Sequence, residues 1–243
     1  GVTYEDLIKA ATSAFSEGWH SLKLYFMIGL PTETEDDLKG IVDMAKETLS
    51  CGRRELRRAG IKKAPEVTVS VSSFVPKAHT PFQWQPQMPR EELLARQAYL
   101  KKHLRGKGLR LTWHDVDKSF LEAVLSRGSR RLGQVIEAAY RKGCKFCAWD
   151  SEFRFDKWMD AFESANISPG FYGNTKWECS DILPWDHISC GVSKEFLIQE
   201  AERALRGVLT PDCRFGRCSD CGVCSDLEVS PRVMSGVGKE TSE

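Results

Sequence analysis

No run of apolar residues in this sequence is long enough to cross a bilayer as a helix. The first twenty residues lack the basic start and apolar core of a secretory signal. An excess of one charge is also missing. Thirty-five basic and 34 acidic side chains leave a formal net charge of +1, so no overall field draws the chain to nucleic acid or an anionic membrane, although a local patch still can. Neither GxGxxG nor GxxxxGK(S/T) occurs, which leaves nucleotide binding of those kinds unsupported. No internal repeat is visible.

Cysteine, by contrast, is plentiful. There are nine, and four crowd between Cys213 and Cys224. A secreted disulfide scaffold is usually smaller and evenly paired. We therefore expect a reducing, cytoplasmic setting in which the clustered thiols hold a metal, with a secreted disulfide cluster as the alternative. The 243 residues, 41% of them hydrophobic, suffice for one large domain or a domain with an appendage. The chain begins at Gly1 and enters a helix at once, and we expect it to be a piece cut from a longer protein.

Thr3 to Glu17 has helical periodicity, with Leu7, Ile8, Ala11, Ala14 and Phe15 on one side, Thr3 as cap and Gly18 as stop. Leu22 to Ile28 is an almost wholly apolar strand, expected to be covered on both faces. A helix capped by Thr32 or Thr34 should run to about Leu49, followed by a basic stretch from Arg53 to Lys63. Val67 to Val75 reads as a second strand, Glu91 to Arg105 as a helix and Leu109 to Trp113 as a third strand. This alternation implies a parallel sheet whose carboxyl-end loops, Gly29-Leu30-Pro31 and Phe74 to Trp84, share one face. Three strands cannot close a barrel, so the sheet is either small and open or part of a larger one. Beyond residue 115 we expect a mainly helical extension, 116–210, with helices over Asp117 to Leu125, Arg131 to Arg141, Phe155 to Ser164 and Ser193 to Arg206. The four-cysteine knot, 211–226, and a polar tail, 227–243, follow.

Cys213, Cys218, Cys221 and Cys224 are separated by four, two and two residues. Four such thiolates can converge on one centre, and sulfur-only sites suit zinc or an iron–sulfur cluster equally. A purely structural staple is the plainest reading. Cys144 and Cys147 form a second, weaker Cys-x-x-Cys, read as a partly buried pair without special chemistry. Cys179 and Cys190 read as core residues, as does the aromatic seam Trp149, Phe153, Phe155, Trp158 and Phe162. Of the histidines, His114 stands at a strand end where a base would be well placed, but no serine or cysteine partner is assignable. The Arg53–Lys63 stretch is compatible with RNA phosphates, yet it reads equally well as a solvated surface because no aromatic residue interleaves it.

The segment from Lys23 to Thr34, ending Gly29-Leu30-Pro31-Thr32-Glu33-Thr34, resembles the late barrel strand and GLP turn of radical SAM enzymes. Val69 to Trp84 is similar to the last barrel strand and loop of the cobalamin-binding group of that family. Ser126-Arg127-Gly128, Gly143-Cys144-Lys145-Phe146, Trp185-Asp186-His187-Ile188 and the knot look like one subgroup of it. The resemblance implies an α/β fold: the carboxy-terminal half, residues 1–115, of a partial (β/α)6 TIM-like barrel, followed by a mainly helical, cysteine-rich extension. It implies S-adenosylmethionine and a four-iron cluster as cofactors of the parent, with Gly29, Leu30, Pro31, Phe74, Val75 and Pro76 lining the adenosyl pocket. It leaves cobalamin open for the parent. The family's CxxxCxxC, which binds the radical-generating cluster, is absent from this sequence, and the knot has a different spacing. On this reading the knot is an accessory cluster or zinc site. The resemblance names no substrate and leaves RNA as one candidate. The chain alone would be inactive without the missing half.

Overall fold

The computed structural model describes residues 3–229. Helix α1 (Tyr4–Ser16) starts at Thr3, whose Oγ1 accepts from the Asp6 N–H at 3.2 Å while the Asp6 carboxylate takes the Thr3 N–H at 3.0 Å. This reciprocal box satisfies two donors that a first turn leaves orphaned. Ala11 and Phe15 bury the inner face. Strand β1 (Ser21–Ile28) follows, then helix α2 (Glu35–Arg58). α2 continues past the expected end at Leu49 and absorbs much of the basic stretch. Leu49, Cys51 and Leu56 continue its buried stripe against α1, so tertiary packing extends the helix.

Asp37, in the first turn of α2, accepts from the Thr34 N–H at 2.7 Å and from the Thr34 hydroxyl at 2.8 Å. The backbone bond first, then the hydroxyl bond, holds its carboxyl below the usual range. Such a group contributes fully above its unfolded pKa, near 3.8, and the contribution is lost as pH falls through the lower folded value. Asp37→Ala should therefore cost about 1 kcal/mol at neutral pH. The gap from the unsubstituted chain should close in strong acid, and paired urea titrations at neutral and strongly acid pH measure both.

Strands β2 (Glu66–Ser73) and β3 (Leu109–Trp113), with helix α3 (Arg90–His103) between them, complete a parallel sheet in the order β1-β2-β3. Ser21 lies opposite Glu66, Ile28 opposite Ser73, and Val67 opposite Leu109. One face carries Leu24, Ile28, Val67, Val69 and Val71 against the helices, and all five are at most 9% exposed. Burial of each is worth roughly 1.5–3 kcal/mol. The other face carries Lys23, Tyr25 and Met27 beside the half-buried Thr68, Ser70 and Ser72. Tyr25 is 74% exposed. The expectation that β1 is covered on both sides is thus overturned: burial alternates along it, because the helices that pack on the sheet lie against one face.

Helices α4 (Val116–Ser126), α5 (Leu132–Arg141) and α6 (Phe155–Ser164) match their expected positions within a residue or two, and a short α7 (Pro169–Gly173) joins them. α8 (Lys194–Leu205) is capped by Ser193, and α9 (Val223–Asp226) is a single turn. Trp158 and Phe162 are buried as expected, with Phe153 half-buried beside them. Trp149 is 70% exposed, against expectation, because it sits in the turn before α6 and off that helix's buried stripe.

By its contacts the chain divides into two compact units. One comprises residues 3–77 and 84–177, the other residues 78–83 and 178–229. Among the described residues no helix is long and apolar enough to cross a membrane. The polar tail expected over 227–243 lies, from residue 230 on, outside the described residues.

Candidate functional site

The GLP turn follows β1 directly. Gly29 adopts φ +77°, which favours glycine, and a Cβ there would press on Leu93 Cδ2 at 2.7 Å. Its N–H donates to Glu33 Oε2 at 2.8 Å, and Arg96 Nε donates to Glu33 Oε1 at 2.7 Å. The Glu33 side chain is only 5% exposed, so its charge is held by one backbone donor and one guanidinium. Gly29, Leu30 and Pro31 line a cleft of about 410 Å³ with Met88 and Arg96. This brace escaped the sequence reading because Arg96 lies far along the chain, and only the spacing of Glu33 from Gly29 hinted at it.

Phe74, Val75 and Pro76 leave the carboxyl end of the neighbouring strand, where the Phe74 N–H donates to the Ile28 carbonyl at 2.8 Å. Phe74 and Pro76 are buried and Val75 is half-buried. Gln87, 1% exposed, donates to the carbonyls of Phe74 and Ser119, both at 3.1 Å, and so fixes this turn against α4. The six residues expected at a cofactor pocket therefore occupy two adjacent turns. The first three line the 410 Å³ cleft, and the second three pack beside it without lining it.

In the second unit, Cys218 is exposed while Cys213, Cys221 and Cys224 are half-buried, and all four are free thiols. Cys218 Sγ accepts from the Asp220 N–H at 3.3 Å. Asp220 adopts φ +54° and Gly222 φ +93°, so the chain curls tightly around Cys218 and Cys221. An N–H aimed at sulfur stabilises a thiolate, and a Cys-x-x-Cys followed by a left-handed glycine can present both sulfurs to one ion. Donor type and local backbone therefore fit a metal. Among the described residues, however, no three cysteine, histidine or acidic side chains stand together as a metal-holding group. Gathering all four sulfurs around one ion therefore requires the segment to rearrange. Asp212 beside it is held down to about 2 by hydrogen bonds from Arg214, so it stays a carboxylate at neutral pH.

The remaining candidates separate. Cys179 and Cys190 are exposed, which corrects their assignment to the core: they lie in the irregular segment before α8, where no regular element covers them. Cys144 is buried next to Cys147, and burial first, then that neighbour, pushes its thiol pKa up, which makes it a poor nucleophile. Cys51 is buried in α2 and shares a 3.1 Å hydrogen bond with the Thr12 hydroxyl, a packing role. His114 is exposed at the end of β3 in a cleft with Asp115 and Lys118. The hydroxyl of Ser119, which shares that cleft, donates to the Asp115 carbonyl instead. His79 and His187 line another cleft with Asp186 and Lys194.

No family model and no solved structure matches the chain. It is 25% identical over 164 residues, 67% of its length, to an uncharacterized protein of Methanocaldococcus jannaschii. The match covers 33% of that protein, so the chain spans about a third of this relative's length.

Proposed function

We propose that this chain is the carboxy-terminal part of a radical SAM enzyme, half of a (β/α)6-type barrel, with an accessory metal site at Cys213, Cys218, Cys221 and Cys224. One observation carries the reading. Two turns that resemble the family's leave neighbouring parallel strands side by side, with Ile28 opposite Ser73. The bare face of the sheet supports it as well. Parallel sheets are normally covered on both faces, and Tyr25 and Met27 stand uncovered next to the unpaired edge of β1 among the described residues. In a barrel that face would look inward and that edge would pair with strands from the rest of the parent.

S-adenosylmethionine with its cluster supplies one-electron chemistry when bound. This chain's share is binding and orientation. The Gly29–Pro31 backbone can approach a ligand closely because position 29 carries no side chain, and the Glu33–Arg96 pair holds that turn in place. Phe74 to Pro76 pack beside the cleft and back it with apolar side chains. A second reading, a zinc-bearing module that binds a protein or nucleic acid without catalysis, draws on the Cys218–Cys221 turn, which suits zinc equally well.

The test is anaerobic purification of the whole parent protein and of this chain alone, each reconstituted with iron and sulfide and assayed for 5′-deoxyadenosine under reducing conditions. Turnover is expected from the parent and none from the chain alone, which lacks CxxxCxxC. A parent that yields no 5′-deoxyadenosine and carries only zinc would establish the second reading instead.

A further inference from the structure

The amino ends of the three strands form a rim at the opposite end of the sheet from the GLP turn. Three connections meet there. The turn before β1 brings Trp19 and His20, the segment after α2 brings residues 59–65, and the turn before β3 brings residues 104–108. Hydrogen bonds lock them side by side. The Glu66 N–H donates to the His20 carbonyl at 2.8 Å, the Val67 N–H to the Gly108 carbonyl at 2.7 Å, and Arg53 Nη2 to the Lys107 carbonyl at 2.9 Å.

Charge is concentrated on this rim out of proportion to the whole. Residues 53–63 hold six lysines and arginines and one carboxylate, and residues 101–110 hold five and none, in a chain whose net charge is +1. Of the rim's carboxylates, Glu55 is buried and already taken by Arg54 and Arg58, Glu66 is paired with Arg110, and Glu17 is exposed beside Trp19, leaving a clear excess of cations. Arg57, Lys62, Lys63, Arg105 and Lys107 are exposed and have no carboxylate partner among the described residues. Basic side chains complement helix carboxyl ends, but the last turns of α2 and α3 account for only part of this excess. Beside them Trp19 is 65% exposed, the rim's one exposed large apolar side chain among the described residues. Its neighbour Gly18 packs against Ile61 of the basic segment.

We infer that this rim binds single-stranded nucleic acid, with the free cations on phosphates and the Trp19 ring stacked on a base. Unpaired cations around one exposed aromatic face are the parts such sites use, and they read backbone and stacking rather than sequence. An anionic membrane would want an apolar face to insert, and one tryptophan is a small one. The inference does not depend on the radical SAM reading, since it uses none of the residues at the carboxyl ends of the strands.

Fluorescence anisotropy with a labelled mixed-sequence RNA 15-mer, its DNA counterpart and phosphatidylserine-containing vesicles tests it. Binding of the RNA should weaken with salt, with a log–log slope of roughly −2 to −3.5 if three to five phosphates are engaged. The triple charge reversal Lys62→Glu, Lys63→Glu, Lys107→Glu should weaken binding at least about tenfold and flatten that slope. Trp19→Ala should weaken it by about tenfold while Trp19→Phe keeps most of it. All these sites are exposed, and circular dichroism checks that each variant folds. Equal affinity for RNA and DNA, or a preference for RNA, both support the rim as a single-strand site. Unchanged RNA binding after the charge reversal, no RNA binding at low salt, or binding to vesicles alone would overturn it.

Discussion

Arg127→Ala lowers the unfolding free energy by roughly 3–5 kcal/mol in urea titrations at neutral pH, a large share of a typical domain's stability. Arg127 is fully buried at the end of α4 and has no carboxylate partner among the described residues. Its guanidinium instead donates to three backbone carbonyls, those of Tyr172 at 2.6 Å, Gly173 at 3.2 Å and Thr175 at 2.8 Å. It also stacks on the Trp177 ring at 3.8 Å. Burial pushes its pKa down to about 10, a desolvation cost on the order of 3 kcal/mol. Each charge-assisted hydrogen bond returns about 1.5–3 kcal/mol and a buried cation–π contact about 2, so the clamp is favourable on balance. Alanine removes the donors and strands the Tyr172 and Thr175 carbonyls. Arg127→Lys keeps the charge but not the planar fork, and should recover less than half of the loss. Linkage gives a further signature. A base whose folded pKa is lowered bears its penalty below that pKa and sheds it as pH rises above about 10 toward the ordinary arginine value, so the unsubstituted chain should gain on Arg127→Ala over that range. A loss below about 1 kcal/mol for Arg127→Ala would show that the clamp is not needed.

If the proposed accessory site is loaded with metal, removing that metal with a chelator should open residues 206–229 to trypsin, while residues 84–177 stay resistant. The reason is local. Among the described residues, no side chain beyond Ala201 is buried, and Leu209 and Phe215 are 77% and 84% exposed. A segment with no apolar core and a single turn of helix, α9, has little of its own to order it. A bound ion at the proposed site would be such a staple, since such sites supply on the order of 10 kcal/mol of folding free energy in small metal modules. Cys218→Ser with Cys221→Ser should abolish metal content and reproduce the protease sensitivity without a chelator. Cys179→Ser should keep both metal and resistance. Elemental analysis decides between zinc and iron with acid-labile sulfide. Reduced, carefully purified protein that contains neither metal would remove the accessory site from the proposal.

The helices and strands of the first 164 residues were legible because their signals are local. Thr3 with Asp6 and Thr34 with Asp37 announce helix starts, alternation marks β2, and Gly18 and Gly29 punctuate. The extension of α2 through Arg58 was not legible, since a run of arginines reads as a surface until Cys51 and Leu56 are seen to face α1. Nor was the exposure of Cys179 and Cys190, because an isolated cysteine gives no sign of whether any element covers it.

Sequence alone determined which chemistry is available: four close-spaced thiols, a glycine-led turn after an apolar strand, and two basic segments in a chain of nearly neutral charge. Tertiary structure decided which of these meet. It set Glu33 against Arg96, buried Arg127 over carbonyls of a segment more than forty residues away, and brought Trp19 to the basic rim. Those pairings arise from the register of β1, β2 and β3 and the packing of helices on one face of that sheet. Both depend on contacts between distant segments, which no local pattern of residues encodes.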